Sequence, residues 1–251
     1  MSRAAYDEIG IGYTAIRRPD PRIAGAIERA LGDAETVLNI GAGAGSYEPT
    51  GRQVTAVEPS ALMIEQRAPD AAPVVQGVAE DLPFDDDSFD ASMAVLTVHH
   101  WQNLAAGIAE ARRVSRHRVV VVTIDLAVLP ALWLVRDYFP EALHEHADRM
   151  PSIGQLAALL PEASTEPLPI PRGCSDRFFA ALWDQPEACL DPDVRRASSV
   201  WHDLPPAATE RGLRMLAEDL RSGRWEERNR HLAQLKEFDA GLRLVISGSP
   251  S

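Results

Sequence analysis

Short apolar runs alternate with stretches of helical spacing along the first half of the chain. Five of these runs predict strands, at residues 37–40, 54–57, 72–78, 90–98 and 118–125. Between them, apolar residues three and four positions apart predict helices at residues 23–31, 60–69 and 104–114. Because strands that alternate with helices form parallel sheets covered on both faces, the pattern predicts a doubly wound α/β fold.

The pattern changes after residue 125. Prolines interrupt an apolar and aromatic helical stretch, residues 153–160 predict a further helix, and residues 167–170 predict a sixth strand at the sheet edge. Residues 241–247 predict a closing seventh strand. We therefore divide the chain into an N-terminal cap with the first helix (1–35), a core (36–173), a helical insertion (174–240) and a closing strand with its tail (241–251).

A glycine-rich turn, Gly41-Ala42-Gly43-Ala44-Gly45, connects the first strand to the segment before the second, which ends on Glu58. Glycine permits positive φ and a close approach of the backbone to a ligand. A carboxylate at the end of the next strand can accept hydrogen bonds from the hydroxyls of a ribose. The stretch predicts a site for a nucleoside cofactor, although a glycine turn alone is also consistent with a tight turn of no function.

The spacing argues against a dinucleotide cofactor. A dinucleotide fingerprint has the pattern G-x-G-x-x-G, a following helix, and an acid about 20 residues further on. Here the glycines follow G-x-G-x-G, and Glu58 arrives sooner. Residues 46–53 contain Pro49 and Gly51, so we expect at most one or two helical turns there. A nicotinamide-dependent oxidoreductase is therefore the less favoured alternative.

Three segments resemble motifs of the class I S-adenosylmethionine-dependent methyltransferases. Residues 36–59 resemble motif I, and residues 77–90, GVAEDLPFDDDSFD, resemble the segment that follows the third strand. The pair His99-His100 after the fourth strand resembles the ubiquinone/menaquinone-biosynthesis branch, the methyltransferase type 11 domain. The resemblance covers roughly residues 6–125. Two positions depart from the family pattern, since Asn39 and Val78 stand where acids are usual.

This resemblance implies a Rossmann-like, mostly parallel seven-stranded sheet with helices on both faces, an antiparallel last strand beside the sixth, and a helical insertion before it. It implies S-adenosyl-L-methionine as cofactor and a small organic acceptor methylated on O, N or C. The residues expected to contact the cofactor are Tyr13, Arg17, Asn39, Gly41, Ala42, Gly43, Glu58, Pro59, Ala79, Glu80 and Thr97. Because Asn39 and Val78 are departures, a non-catalytic cofactor-binding protein is an open alternative.

His99 and His100 are the candidate catalytic residues. They follow the fourth strand, and ligands of open α/β sheets bind beyond the carboxyl ends of the strands. An ordinary histidine pKa of about 6.5 suits a general base that removes a proton from the acceptor. Either histidine could instead cap the loop or shape the cofactor pocket. We expect no metal site, because adjacent histidines in an extended chain point to opposite sides.

Aromatic residues in the second half are the candidate substrate contacts. Trp133 and Tyr138 precede the sixth strand, and Phe178 and Trp183 lie in the insertion. They either line a chamber for an organic acceptor or belong to the ordinary core. Arg195 and Arg196 are the expected binding groups if that acceptor is a carboxylate.

Composition narrows the classes of partner. The chain has 251 residues and a net charge of −12, and its basic residues form no long run, so nucleic acid is not expected as a partner. Two distant cysteines, Cys174 and Cys189, indicate no disulfide framework, which is typical of the cytoplasm. No apolar run approaches 18 residues, so no membrane association is expected. Oligomeric state cannot be predicted from these features.

Overall fold

The computed structural model describes residues 16–147 and 149–248, apart from the side chains of residues 145 and 146. Within these ranges, seven strands form one sheet in the order β3–β2–β1–β4–β5–β9–β6. Their bounds are β1 Thr36–Ile40, β2 Gln53–Glu58, β3 Val74–Gln76, β4 Phe89–Val95, β5 Ser115–Ile124, β6 Ser164–Pro167 and β9 Leu242–Ser247. The pairs among β1 to β5 are parallel, and β9 is antiparallel to both β5 and β6. The expected Rossmann-like sheet with its antiparallel closing strand is confirmed.

The sheet has its switch point at β1. The chain moves outward from β1 to β2 and β3 and then returns to place β4 on the other side of β1. Parallel sheets open a crevice above the carboxyl ends of their strands at such a point. The switch point therefore locates the region where a ligand is expected.

Two strand predictions were wrong in their bounds. The fourth strand ends at Val95 rather than at residue 98, because Leu96 takes a φ of 52° and residues Val98–His100 form a 3₁₀ turn. The sixth strand is at the sheet edge as expected, but it ends at Pro167, and Pro169 has no N–H with which to continue the ladder. A short strand β7 (Ile170–Pro171) pairs instead with β8 (Glu237–Phe238) in a separate sheet.

Helices cover both faces of the main sheet, as the alternating apolar positions of β5 require. Val120 and Val122 share a buried cluster with Ile27 of helix α1 (Pro21–Ala30), whereas Val119 and Val121 pack with Ile108 of helix α3 (Leu104–Arg113). Successive side chains of a strand point to opposite faces, so β5 takes part in two separate cores. The short helix α2 (Ala61–Glu65) follows β2.

The second half of the chain is mainly helical, and most of its buried residues share a cluster with those of α1. Leu156 packs instead with residues of α3. The α-helices are α4 Glu141–Ala147, α5 Ile153–Leu159, α6 Pro192–Arg196, α7 Ser199–Asp203, α8 Pro206–Ser222 and α9 Arg224–Arg228. A π-helical turn spans Leu134–Tyr138, and 3₁₀ turns span Leu129–Ala131, Phe179–Asp184, Pro186–Leu190 and Arg230–Gln234. In the described ranges, no helix has the length and apolar character needed to cross a membrane.

Candidate functional site

A cavity of about 720 Å³ opens at the carboxyl ends of β1, β2, β4 and β5. Its volume lies within the range of roughly 300 to 1,000 Å³ found for small-molecule sites. One end is bordered by the glycine turn, Glu58 and Ala79, and the other by Phe178 and Phe179 of the insertion. The cavity therefore joins the predicted cofactor segment to the segment predicted to hold an acceptor.

The glycine turn brings bare backbone to the cavity wall. Gly41 and Gly43 have φ angles of 67° and 54°, a conformation that L-residues with side chains rarely adopt. A Cβ atom at Gly41 would lie 2.2 Å from Oγ1 of Thr97, the second residue after β4. Both conformation and space thus require glycine at position 41. Thr97, predicted as a cofactor contact, lines the same cavity.

Glu58 lies at the end of β2 with only 5% of its surface exposed. Its Oε2 accepts a hydrogen bond of 2.7 Å from the Gly43 N–H, and its Oε1 accepts one of 2.9 Å from the Ser60 N–H. A carboxylate has about four lone-pair sites and can accept hydrogen bonds from several donors at once. The carboxylate is therefore held at the cavity wall in a form that can accept the hydroxyls of a ribose.

The connection from β1 to β2 contains no helix, since residues 41–52 form only turns. A dinucleotide site places the pyrophosphate against the N-terminus of a helix at this point. The connection between β1 and β2 therefore lacks the helix that a dinucleotide needs.

Asn39, also predicted as a cofactor contact, is buried and lines the cavity. Its Nδ2 donates a hydrogen bond of 3.4 Å to the Glu48 carboxylate. Arg67 pairs with the same carboxylate at 2.6 Å.

The segment after β3 borders the same end of the cavity. Ala79 is buried, and Val78 is 42% exposed. Oε1 of Glu80 accepts hydrogen bonds from the backbone N–H groups of Gln102, at 2.7 Å, and Asn103. Glu80 thereby joins this segment to the loop that precedes α3. Together, the glycine turn, Glu58 and residues 78–80 fit a nucleoside with a polar substituent.

Arg17 lies at the cavity wall but is held by another carboxylate. Its Nε and Nη2 atoms donate to Asp176, and its side chain is 9% exposed. The Tyr47 hydroxyl also donates to Asp176, at 2.8 Å. Burial and the nearby Asp176 carboxylate raise the pKa of the Tyr47 hydroxyl well above its usual range. Arg17 thus joins the N-terminal segment to the insertion, while Tyr13 lies outside the described residues.

His99 and His100 both line the cavity, within and at the end of the 3₁₀ turn after β4. Their ring centroids are 3.9 Å apart, with the planes tilted by 46°. The turn brings both rings to one region, where the extended strand expected there would have placed them on opposite sides. In the described part of the chain, no group of three or more His, Cys, Asp or Glu residues could hold a metal ion.

The structure corrects three of the four predicted substrate contacts. Trp133, Tyr138 and Trp183 are 1%, 1% and 0% exposed, and none lines the cavity. Trp133 Nε1 donates to the Trp183 carbonyl at 2.7 Å, and the Tyr138 hydroxyl donates to Asp219 at 2.8 Å. These three aromatic residues belong to the core, because they are buried and their polar atoms form hydrogen bonds within the protein. Phe178 alone of the four lines the cavity.

Several cavity residues were missed by sequence reasoning. They are Leu126, Leu129, Arg149, Met150, Ser198, Ser199 and Val200. Arg195 and Arg196, predicted as acid-binding groups, do not line the cavity. Arg195 donates to the Cys189 carbonyl, and Arg196 pairs with Asp193. Helix α7 lies near the strand ends only through tertiary packing of segments that are distant in sequence. Local sequence patterns therefore do not predict this contact.

Comparison with known proteins agrees with this geometry. A family model described as a methyltransferase domain matches residues 38–123. A crystal structure of a candidate methyltransferase from an antibiotic biosynthesis pathway of Anabaena variabilis ATCC 29413 is 32% identical to this chain. The match covers 93% of this chain and 99% of that one, with a TM-score of 0.86. The similarity thus includes the helical second half as well as the sheet.

Two curated proteins match over shorter segments. One is 2-methyl-6-phytyl-1,4-hydroquinone methyltransferase 2, a chloroplastic protein of Oryza sativa subsp. japonica, at 38% identity over 72 residues. The other is the uncharacterized methyltransferase YcgJ of Bacillus subtilis (strain 168), at 33% identity over 91 residues. The matched segments cover 29% and 32% of this chain, and 20% and 36% of those proteins' own lengths.

Proposed function

This chain belongs to the family of S-adenosylmethionine-dependent methyltransferases, and we propose that it transfers the cofactor's methyl group to a small organic acceptor. The observation that carries the proposal is the single cavity that joins Glu58 and the glycine turn to the apolar wall at Phe178 and Phe179. A methyl donor held at the first end and an acceptor held at the second would meet beyond β4.

We assign the cofactor to the end of the cavity formed by β1, β2 and residues 78–80. Glu58 would accept the ribose hydroxyls, and Ala79 and Glu80 would border the adenine. The turn at Gly41, with Asn39, Ala42, Gly43, Pro59 and Thr97, would border the rest of the molecule, with Arg17 and Tyr13 on the N-terminal side. When bound, the cofactor supplies an electrophilic methyl group on a positively charged sulfur.

The protein's main task is then to align the acceptor and to exclude water. A well-oriented pair of reacting groups, about 3 Å apart, gains several kcal/mol over free encounter. The acceptor atom forms its bond to the methyl carbon as the carbon–sulfur bond breaks, and any proton on that atom must leave. His99 or His100 is placed to receive this proton. Whether the acceptor atom is O, N or C does not change this arrangement.

The setting of the reaction follows from composition. The chain has a net charge of −12, whereas phosphate backbones favour basic surfaces, so we propose no nucleic-acid substrate. The two cysteines, Cys174 and Cys189, are both buried free thiols, and we propose a cytoplasmic protein acting on a diffusible small molecule. The hydroquinone acceptor in the name of the Oryza relative makes phenols a reasonable first class to test.

Methyl transfer is the direct test. The full chain is incubated with S-adenosylmethionine labelled in its methyl group and with panels of phenols, carboxylic acids and amines. We expect label in at least one panel, and slower transfer by Glu58→Ala at cofactor concentrations that do not saturate the variant. Binding of S-adenosylhomocysteine without transfer to any panel would instead favour the non-catalytic alternative. Absence of both binding and transfer would contradict the assignment of the site.

A further inference from the structure

The two ends of the cavity differ in the polar groups that they present. The carboxylates among the described lining residues are Glu58 and Glu80, both at the cofactor end and both bonded to backbone N–H groups. The guanidinium groups among them are those of Arg17 and Arg149, toward the insertion. Among the described lining residues, the side toward the insertion therefore presents guanidinium groups and no carboxylate, although the chain as a whole is strongly acidic.

The rest of the acceptor end is mainly apolar. Its aliphatic and aromatic residues are Ile124, Leu126, Leu129, Met150, Phe178, Phe179 and Val200. Phe178 and Phe179 are only 6% and 4% exposed, so they form a fixed wall. Such a surface favours an apolar ring or chain, because each buried CH₂ group contributes about 0.8 kcal/mol.

The two arginines differ in how firmly they are held. Arg17 is 9% exposed and forms a bidentate pair with Asp176. Arg149 is 49% exposed and donates to Asp203 at 2.7 Å. Exposed pairs of this kind contribute about 0 to 1 kcal/mol, so the pair between Arg149 and Asp203 opens at little cost.

Building on the proposed methyltransferase function, we propose that the acceptor is an apolar molecule with a negatively charged group, and that Arg149 selects that charge. The apolar body packs against Phe178 and Phe179, and the anion takes a charge-assisted hydrogen bond from Arg149. The Arg149 guanidinium would repel an ammonium group. Arg149 thus takes the acid-binding role predicted for Arg195 and Arg196, which do not line the cavity.

Three probes with the same ring separate charge from shape. Naphthoate, naphthalenemethanol and naphthylmethylamine are an anion, a neutral molecule and a cation at neutral pH. Each is titrated into the full chain saturated with S-adenosylhomocysteine. We expect naphthoate to bind at least about tenfold more tightly than the alcohol, and the amine to bind most weakly. Equal binding of the three, preference for the amine, or no binding of naphthoate would overturn the inference.

Matched variants assign the preference to one residue. Arg149→Gln should bring the affinities for naphthoate and the alcohol to within about twofold of each other. Arg196→Gln, which alters an exposed arginine paired with Asp193, should leave the preference unchanged. Asp203→Asn, which removes the carboxylate charge beside Arg149, should strengthen naphthoate binding. An unchanged preference in Arg149→Gln would remove that residue from the role.

Titration of S-adenosylhomocysteine alone separates this inference from the function on which it rests. Normal binding of this cofactor product to wild type and Arg149→Gln, with no preference for the anion, would overturn only the acceptor class. Failure of the wild-type chain to bind the cofactor product would instead contradict the proposed function itself.

Discussion

The backbone N–H of Gly43 donates a hydrogen bond of 2.7 Å to the carboxylate of Glu58, linking the glycine turn to the end of β2. The other carboxylate oxygen of Glu58 accepts from the N–H of Ser60, just before α2. One buried side chain therefore fixes two loops that border the cavity. Hydrogen bonds to charged groups of this kind contribute about 1.5 to 3 kcal/mol each.

Gly41→Ala should impair the site through both conformation and contact. Its Cβ would lie 2.2 Å from Thr97 Oγ1, and the φ of 67° is unfavourable for alanine. We expect binding of S-adenosylhomocysteine to weaken at least tenfold, measured by calorimetry. Gly51→Ala is the matched control, since Gly51 also has a positive φ but its Cβ would meet nothing within 4 Å. That variant should lose about 1 kcal/mol of stability and bind normally.

A double variant separates the contact from the strain. The Cβ added in Gly41→Ala would lie close to three side-chain atoms of Thr97, namely Oγ1, Cβ and Cγ2. Thr97→Ala removes Oγ1 and Cγ2. Binding by Gly41→Ala/Thr97→Ala should therefore exceed the value expected from adding the two single effects. Strict additivity would show that the two residues do not interact in the folded protein.

His99→Gln and His100→Gln test the proposed general base. The variant that removes the base should lower the rate of methyl transfer by about 100-fold or more, because general bases contribute roughly 10² to 10⁴ in rate. Its affinity for S-adenosylhomocysteine should change less than threefold, since the residue acts on the acceptor. Transfer rates close to wild type in both variants would show that neither histidine acts as a base.

Trp133→Phe should act on stability and leave the site unaffected. The change removes the N–H that donates to the Trp183 carbonyl at 2.7 Å and leaves that buried oxygen without this donor. We expect a loss of about 2 to 3 kcal/mol in the free energy of unfolding, measured in urea. The KM for any acceptor should remain that of the wild type. A raised KM at unchanged stability would restore Trp133 as a substrate contact.

Asp90 makes stability depend on acid pH. Hydrogen bonds from the backbone and side chain of Thr36, and from Arg116, lower the pKa of Asp90 from 3.8 to about 2, against the effect of burial. Between these values the unfolded chain binds more protons, so stability falls as the pH is lowered. The contribution is complete above about pH 4 and is lost toward pH 2.

Asp90→Asn should therefore lower the free energy of unfolding by about 1 to 2 kcal/mol at pH 7, after discounting for partial exposure. The difference from wild type should shrink as urea unfolding is repeated at pH values from 4 down to 2.5. Asp70→Asn, at an exposed position, is the control and should show no such trend. A difference that stays constant over this range would contradict the role given to Asp90.

Local patterns predicted the strands and the cofactor end of the site. The apolar runs identified β1 to β5, and the glycine turn with Glu58 identified one wall of the cavity, because these features are contiguous in sequence. The end of β4 was missed because the φ of 52° at Leu96 is unusual for a residue other than glycine. The spacing of apolar residues along a sequence does not predict a backbone turn of this kind.

The acceptor end was predicted less well because distant segments form it. Trp133 and Phe178 are both large and aromatic, yet one is core and the other lines the cavity. Which of them faces the cavity depends on how the insertion packs over β4 and β5. Arg149 and Arg195 likewise differ only in tertiary position. Residue type alone could not separate them.

Calorimetric titration of S-adenosylhomocysteine tests the central claim most directly. We predict saturable binding of one molecule per chain, weakened about tenfold to 100-fold by Glu58→Ala because a charged hydrogen-bond acceptor is lost. Glu65→Gln, which changes an exposed acid of α2, should bind as the wild type does. Absence of binding to the wild-type chain, or equal affinity of wild type and Glu58→Ala, would contradict the account.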